Sequence, residues 1–211
     1  MITNNFLHNR RIHNYGSLRR RNGNTVTERV TLSEAKAHLR IDSSFTADDT
    51  YITTLITVAR TICENYVGFN LAEETALEYY LDDFPDTDVI YLYGIFKPTS
   101  VLINYRNTSG TITTLSSSNY EVDLYSIPAR IFLKEGSSFP EISDDYPSAV
   151  TISCGAGPTS DDHLPRPIYH AILLTIGHLY ENRQNVIAGV QSYEVPQAAE
   201  YLMNPYRYTS V

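Results

Sequence analysis

Several groupings in the sequence hold residue types able to do chemistry. Gly155-Ala156-Gly157 follows a strand-like run, the setting in which small residues cradle a phosphate. A dinucleotide-binding turn also needs a third glycine opening a helix whose N-terminus receives the pyrophosphate. Pro158 follows instead, so the motif reads as a strand-to-loop turn. Carboxylates, the ligands of hard cations, gather at Asp82, Asp83, Asp86 and Asp88, at Asp144 and Asp145, and at Asp161 and Asp162. The first group lacks the sharp-turn glycine and the distal bidentate glutamate of a calcium loop, and solvated loop charges are the expectation. His170 and His178 lie two turns apart on one helical pattern, not at the i, i+4 spacing that holds zinc, and no Cys–His spacing surrounds His163. A serine nucleophile elbow and a Walker A loop are both missing. The sequence therefore predicts no catalytic residue, no metal site and no cofactor: a protein that is not an enzyme.

The arginines carry a different chemistry. Residues 1–27 hold Arg10, Arg11, Arg19, Arg20 and Arg21 and no acid, whereas the rest of the chain holds 11 basic and 24 acidic side chains. A basic arm thus precedes an acidic body. The body opposes a conventional DNA-wrapping domain, which needs a positive surface. Arg19, Arg20 and Arg21 are expected to meet an acidic protein surface, such as a neighbouring subunit, in preference to phosphates. Cys63 and Cys154 are far apart and read as two reduced, buried thiols in a cytosolic assembly environment. Met1 to Leu18 has no apolar stretch of the kind a secretory signal carries. No apolar run approaches the roughly 18–20 residues of a membrane span. Of the 211 residues, 42% are hydrophobic, enough to bury a core. Tyrosine is over-used, at 17 residues with no tryptophan, and strands account for most of it.

Residues 1–29 show no periodicity and read as an extended arm, held by a neighbouring subunit. Thr31 and Glu34 have the T-x-x-E spacing of a capping box, with Val30 and Ala35 placed for a hydrophobic staple. Leu32, Ala35 and Leu39 share one face of this short helix, with Lys36, His38 and Arg40 outside it, and the helix ends near Ile41. A second helix, capped by Thr46, carries Ile52, Leu55, Ile56, Ala59, Ile62, Cys63 and Tyr66 as one apolar stripe, and Gly68 suits its end. Seven short strand patterns follow: Glu78–Leu81, Val89–Leu92, Ser100–Tyr105, Thr111–Leu115, Tyr120–Leu124, Arg130–Leu133 and Ala149–Ser153. Helical spacing resumes at Pro167, placed at the first helical position, with Ile168, Ala171, Ile172, Leu174, Thr175, Leu179 and Tyr180 on a core face that Leu173 and Ile176 widen. A short helix begun by Pro196 ends at Pro205, leaving Tyr206, Arg207 and Tyr208 exposed. The expected class is α+β: a helical core of residues 30–70 and 164–188, a β-rich insertion at 71–163, and a C-terminal segment from 189 to 211.

This order resembles the head-tail connector, or adaptor, family of tailed bacteriophages, including its HK97-connector-like and gp8-like members. The resemblance is carried by Val30-Thr31-Leu32-Ser33-Glu34-Ala35-Lys36-Ala37-His38-Leu39-Arg40-Ile41, by Asp48-Asp49 with Ile52, Ile56, Ala59, Arg60, Glu64 and Tyr66, and by Ala149-Val150-Thr151 with Gly155 and Gly157. It continues through Pro165 to Ala171, His178-Leu179-Tyr180-Glu181-Asn182-Arg183, and Tyr201-Leu202 with Pro205-Tyr206-Arg207. It spans about Val30 to Arg207 and leaves out the arm. It implies a structural protein of the virion neck, assembled in the host cytoplasm as a dodecameric ring stacked on the portal protein. Genomic DNA would pass through its channel without sequence-specific binding, and a stopper or tail protein would dock below. It further assigns Tyr201, Leu202, Tyr206, Arg207 and Tyr208 to portal binding. The alternatives are another neck or tail ring, a stopper or a terminator, and, behind these, a nucleic-acid-binding protein.

Overall fold

The computed structural model of the chain describes residues 16–143, 145–159, 164–182 and 197–208. The chain divides into two compact units, one of Met1–Thr25 with Glu74–Gly157 and one of Val26–Glu73 with Pro158–Val211. Residues 1–15 of the expected arm lie outside the described residues. Its described end, β1 (Ser17–Arg20), belongs to the β unit, where it pairs antiparallel with β3 (Glu73–Leu81). Arg21 N–H also donates to Ala76 O, which continues the pairing beyond β1. A neighbouring subunit is therefore not needed to hold residues 17–21. A short strand, β2 (Val26–Thr27), precedes the helices.

Within the β unit, β1 and β3 continue through β9 (Val150–Ala156), β5 (Thr99–Arg106) and β6 (Ile112–Thr114), in the sheet order β1-β3-β9-β5-β6. A second sheet runs β4-β8-β7, from β4 (Val89–Leu92), β8 (Ala129–Leu133) and β7 (Tyr120–Asp123). Period-two alternation sends Leu77, Tyr79, Leu81, Ile103, Val150 and Ile152 of the first sheet into one cluster with Ile90, Leu92, Ile131 and Tyr120 of the second. Each buried Ile or Leu contributes about 1.5–3 kcal/mol, so this shared core fixes strand register. The seven strands read from the sequence are all present, with ends that agree or shift by at most five residues. At β9, a Cβ on Gly155 would lie 2.6 Å from Thr99 Oγ1 and 3.1 Å from Glu74 O, so the glycine permits close strand approach. Gly157, at φ 102°, turns the chain out of the strand.

The helical unit holds α1 (Leu32–His38), α2 (Asp49–Val67), α3 (Arg166–Glu181) and α4 (Gln197–Met203). The capping box forms: Thr31 Oγ1 accepts from Glu34 N–H, and Glu34 Oε2 accepts from Thr31 N–H at 2.8 Å. α1 packs on α2, α2 on α3, and α3 on α4. Ile52, Leu55, Ile56, Ala59, Cys63 and Val67 meet Ile168, Ala171, Ile172, Leu173 and Ile176 in the buried core of the unit. Gly68 closes α2 in the left-handed conformation, φ 87°.

Three local readings change. Asp48, not Thr46, occupies the N-cap of α2, and it accepts from the Tyr180 hydroxyl. α3 starts one residue earlier than expected, with Pro165 as its cap. Lys36 is buried because its ammonium donates to Ser43 O, Phe45 O and Asp49 Oδ1 at 2.6–3.1 Å, which satisfies all three protons.

Candidate interaction surfaces

The arginines of β1 have partners inside the chain. Arg20 forms a fork on Glu74, Nε to Oε2 at 2.6 Å and Nη2 to Oε1 at 2.9 Å, and Asn24 Nδ2 adds a third bond at 2.8 Å. The Glu74 side chain is fully buried, and these donors replace its lost hydration. Arg21 pairs with Glu78 at 3.6 Å, and the Arg19 guanidinium lies 5.7 Å from the Tyr80 ring centre. Arg21 is more than half exposed and so is Arg20. These side chains stitch β1 to β3 and still present charge at the sheet edge. Arg10 and Arg11 lie outside the described residues.

The C-terminal segment is docked along one side. Tyr201 on α4 is 83% exposed, while Leu202 is half-buried and Met203 fully buried. Tyr206 and Tyr208 are half-buried, which corrects the expectation that both are free. The cause is the end of α2, whose last carbonyls have no helical partner. Tyr208 N–H donates to Val67 O at 2.8 Å, and the Arg207 guanidinium sits 5.1 Å from the Tyr66 ring centre.

A third surface was not read from the sequence. Between β7 and β8, Leu124 and Ile127 are 41% and 40% exposed, and Tyr125 is 92% exposed. Asp123 holds this connection. Its carboxylate accepts from Tyr125 N–H, Ser126 N–H and Oγ, and Arg130 Nε and Nη2, at 2.6–3.3 Å. The bonds from Ser126 and Arg130 hold the Asp123 carboxyl well below the usual carboxylate range. Arg130 also lies 5.0 Å from the Phe132 ring centre. The available signal was Leu-Tyr-Ser-Ile between two strand patterns, where polar turn residues are usual.

No group of three or more His, Cys, Asp or Glu placed to hold a metal occurs among the described residues. Asp144, Asp161, Asp162 and His163 lie outside them. Asp82 instead accepts from Ser148 N–H. His38 and His170 meet edge to face at 6.0 Å. Cys63 and Cys154 are free and buried. Among the described residues no helix is long and apolar enough to cross a membrane.

Residues 29–97 match the family model described as phage gp6-like head-tail connector protein. No curated protein matches the chain in sequence. The fold is shared with a chain from the neck of an empty gene transfer agent particle computed with C6 symmetry. The two are 18% identical, with a TM-score of 0.70 over 92% of this chain and 97% of that one. A chain from the virion of the native particle is 19% identical, with a TM-score of 0.71 over 92% of this chain and 96% of that one. One from the native neck computed with C12 symmetry is 18% identical, with a TM-score of 0.64 over 89% and 97%. The match to a head-tail connector model thus covers residues 29–97, and the α+β fold is shared with chains of gene transfer agent particles along nearly the whole length.

Proposed function

We propose that the chain is a structural head-to-tail adaptor of a tailed phage or phage-like particle. In this reading it is a ring component of the virion neck, seated below the portal protein, and it catalyses no reaction. The observation that carries the proposal is the agreement of two independent signals: the connector family match at residues 29–97, and a fold shared along 92% of the chain with a neck component. The symmetries of those necks support a dodecameric ring. A net charge of −8 suits a channel through which DNA must slide, since negative walls repel phosphates. In the same reading a stopper or tail protein docks on the ring's far side.

The C-terminal segment is the proposed portal contact. Tyr201 projects into solvent from a helix anchored by Ala199 and Met203, and Leu202, Tyr206, Arg207 and Tyr208 follow it along the chain. Tyr and Arg anchors dominate interface energetics. Arg19, Arg20 and Arg21 form a second proposed contact, through the charge they present at the β1 edge to an acidic neighbouring subunit.

Electron microscopy of the protein mixed with its cognate portal tests the proposal. A ring of this chain stacked on the portal is the expected result. Particles that lack the chain and still retain their genome and join tails normally would defeat it.

A further inference from the structure

Only one asparagine in the sequence is followed by glycine, and it stands just past the end of β1, in Arg21-Asn22-Gly23-Asn24. Arg21 O accepts from Asn24 N–H at 3.0 Å, which closes a four-residue turn with Asn22 and Gly23 at its centre. Gly23 sits at φ 86°, the left-handed conformation that favours glycine. Both central residues are exposed, and a Cβ added to Gly23 would meet no atom within 4 Å. Neither the Asn22 carboxamide nor the Gly23 N–H makes a hydrogen bond to any described residue. Other asparagines are held or blocked. Asn24 Oδ1 accepts from Thr75 N–H and Ala76 N–H, and its Nδ2 donates to Glu74. Asn107 Oδ1 accepts from Ser109 N–H and Thr111 N–H. Asn65 lies within α2, and Asn204 precedes a proline, which has no N–H.

We infer that Asn22 is a site of spontaneous deamidation, a modification that leaves a carboxylate at the arginine-bearing edge of the β unit. Asparagine is a thermolabile residue type. The Gly23 nitrogen attacks Asn22 Cγ: the N–Cγ bond forms, the Cγ–Nδ2 bond breaks, and ammonia leaves with the amide proton. Water then opens the cyclic imide at one carbonyl or the other, giving aspartate or isoaspartate. The attack needs a backbone nitrogen that no hydrogen bond holds, a carboxamide able to turn toward it, and no Cβ in the way. Asn22 and Gly23 provide all three. The flanking residues are tied to β3, Arg21 through Ala76 O and Glu78 and Asn24 through Glu74, so the rearrangement stays within the turn. The product adds one negative charge, taking the chain from −8 to −9, and sets it next to Arg21. The attraction that Arg19, Arg20 and Arg21 exert on an acidic partner is thereby weakened.

The test incubates the folded full chain in mildly alkaline buffer and samples it over time. Digestion with trypsin releases residues 22–29 as one peptide, because Arg21 and Arg29 bound it. Mass and fragmentation of that peptide locate any converted amide, and a zero-time sample controls for conversion during digestion. Asn22 is expected to convert ahead of every other asparagine, while Asn24, in the same peptide, keeps its amide. Native isoelectric focusing should show a more acidic band growing at the same rate. Asn22→Ser removes the reacting carboxamide and is expected to eliminate that band. An Asn22 that keeps its amide as long as Asn24 does, or an acidic band that grows just as fast in Asn22→Ser, overturns the inference.

Discussion

The Arg60 guanidinium donates through Nη1 to Glu64 Oε2 at 2.6 Å, one turn further along α2, and the two residues are only 5% and 8% exposed. Burial opposes the charge on Arg60, but Glu64 and Glu28 more than offset it and keep the guanidinium protonated. Arg60 Nε reaches Glu28 Oε2 at 2.9 Å, and Glu64 Oε1 accepts from Leu71 N–H at 2.7 Å. One pair of side chains thus ties the segment before α1 and the turn after α2 to the same helix.

Removing Glu64 takes away one of the two carboxylates that face the buried Arg60 and leaves the Leu71 N–H without its acceptor. Glu64→Ala is expected to cost about 3–5 kcal/mol, the range for breaking a buried ion pair. Urea unfolding, with the midpoint and slope compared to the parent chain, measures it. A change below about 1 kcal/mol, the range of an exposed pair, would show that the network contributes little.

The helical unit was largely legible in the sequence because its signals are local. The Thr31 and Glu34 spacing, the stripe from Ile52 to Cys63 and the glycine at 68 each sit within a few residues of what they determine. Strand positions were legible for the same reason, as with Val89–Leu92, whose bounds agree. Partners were not, because β3 pairs with β9 across roughly seventy residues and nothing local encodes that choice. β1 escaped notice because Ser17-Leu18-Arg19-Arg20 has a single apolar residue; its side-chain partners Glu74 and Glu78 lie far along the chain. Lys36 was placed outside by its type, and only the folded loop supplies the carbonyls that bury it.

The α1 cap makes a pH-dependent contribution. Burial pushes Glu34 up, but hydrogen bonds with the Thr31 side chain and amide and with Tyr169 outweigh it and hold the carboxyl below its ordinary value. A carboxyl depressed on folding stabilises the fold above its unfolded pKa, near 4.5, and that contribution fades as pH falls through the folded value. Thr31→Ala is expected to cost about 1 kcal/mol at neutral pH, the usual loss for an N-cap. The deficit should shrink below pH 4.5. Unfolding curves at both pH values check this, and an undiminished deficit in acid would exclude the Glu34 linkage.

The histidine pair acts at higher pH. Burial first, and then the neighbouring His170, hold His38 below its ordinary value of 6.5. The unfolded chain therefore takes up the proton first, and stability falls as pH drops from 6.5 towards the folded value. His38→Gln should flatten the stability profile between about pH 7.5 and 5, around the unperturbed histidine pKa. Thermal unfolding across that range supplies the readout, and parallel profiles for both chains would remove His38 from the account.

The two thiols report on the two units separately, since Cys63 lies in the helical unit and Cys154 in the β unit. Burial pushes their pKa values up to about 11 and about 12, and each side chain is closed to solvent. The thiolate is the reactive form, so neither residue is expected to react with a disulfide reagent at pH 8 while the chain is folded. Both should react in denaturant. Labelling at intermediate denaturant followed by mass analysis then distinguishes whether the units open together. Simultaneous loss of protection at both cysteines would mark one cooperative transition, and earlier labelling of one identifies the less stable unit. Rapid labelling of either thiol in the native protein would contradict the packing around it, since Cys63 lies between α2 and α3, 3.9 Å from Thr175 Oγ1, and Cys154 lies in the shared core of the two sheets.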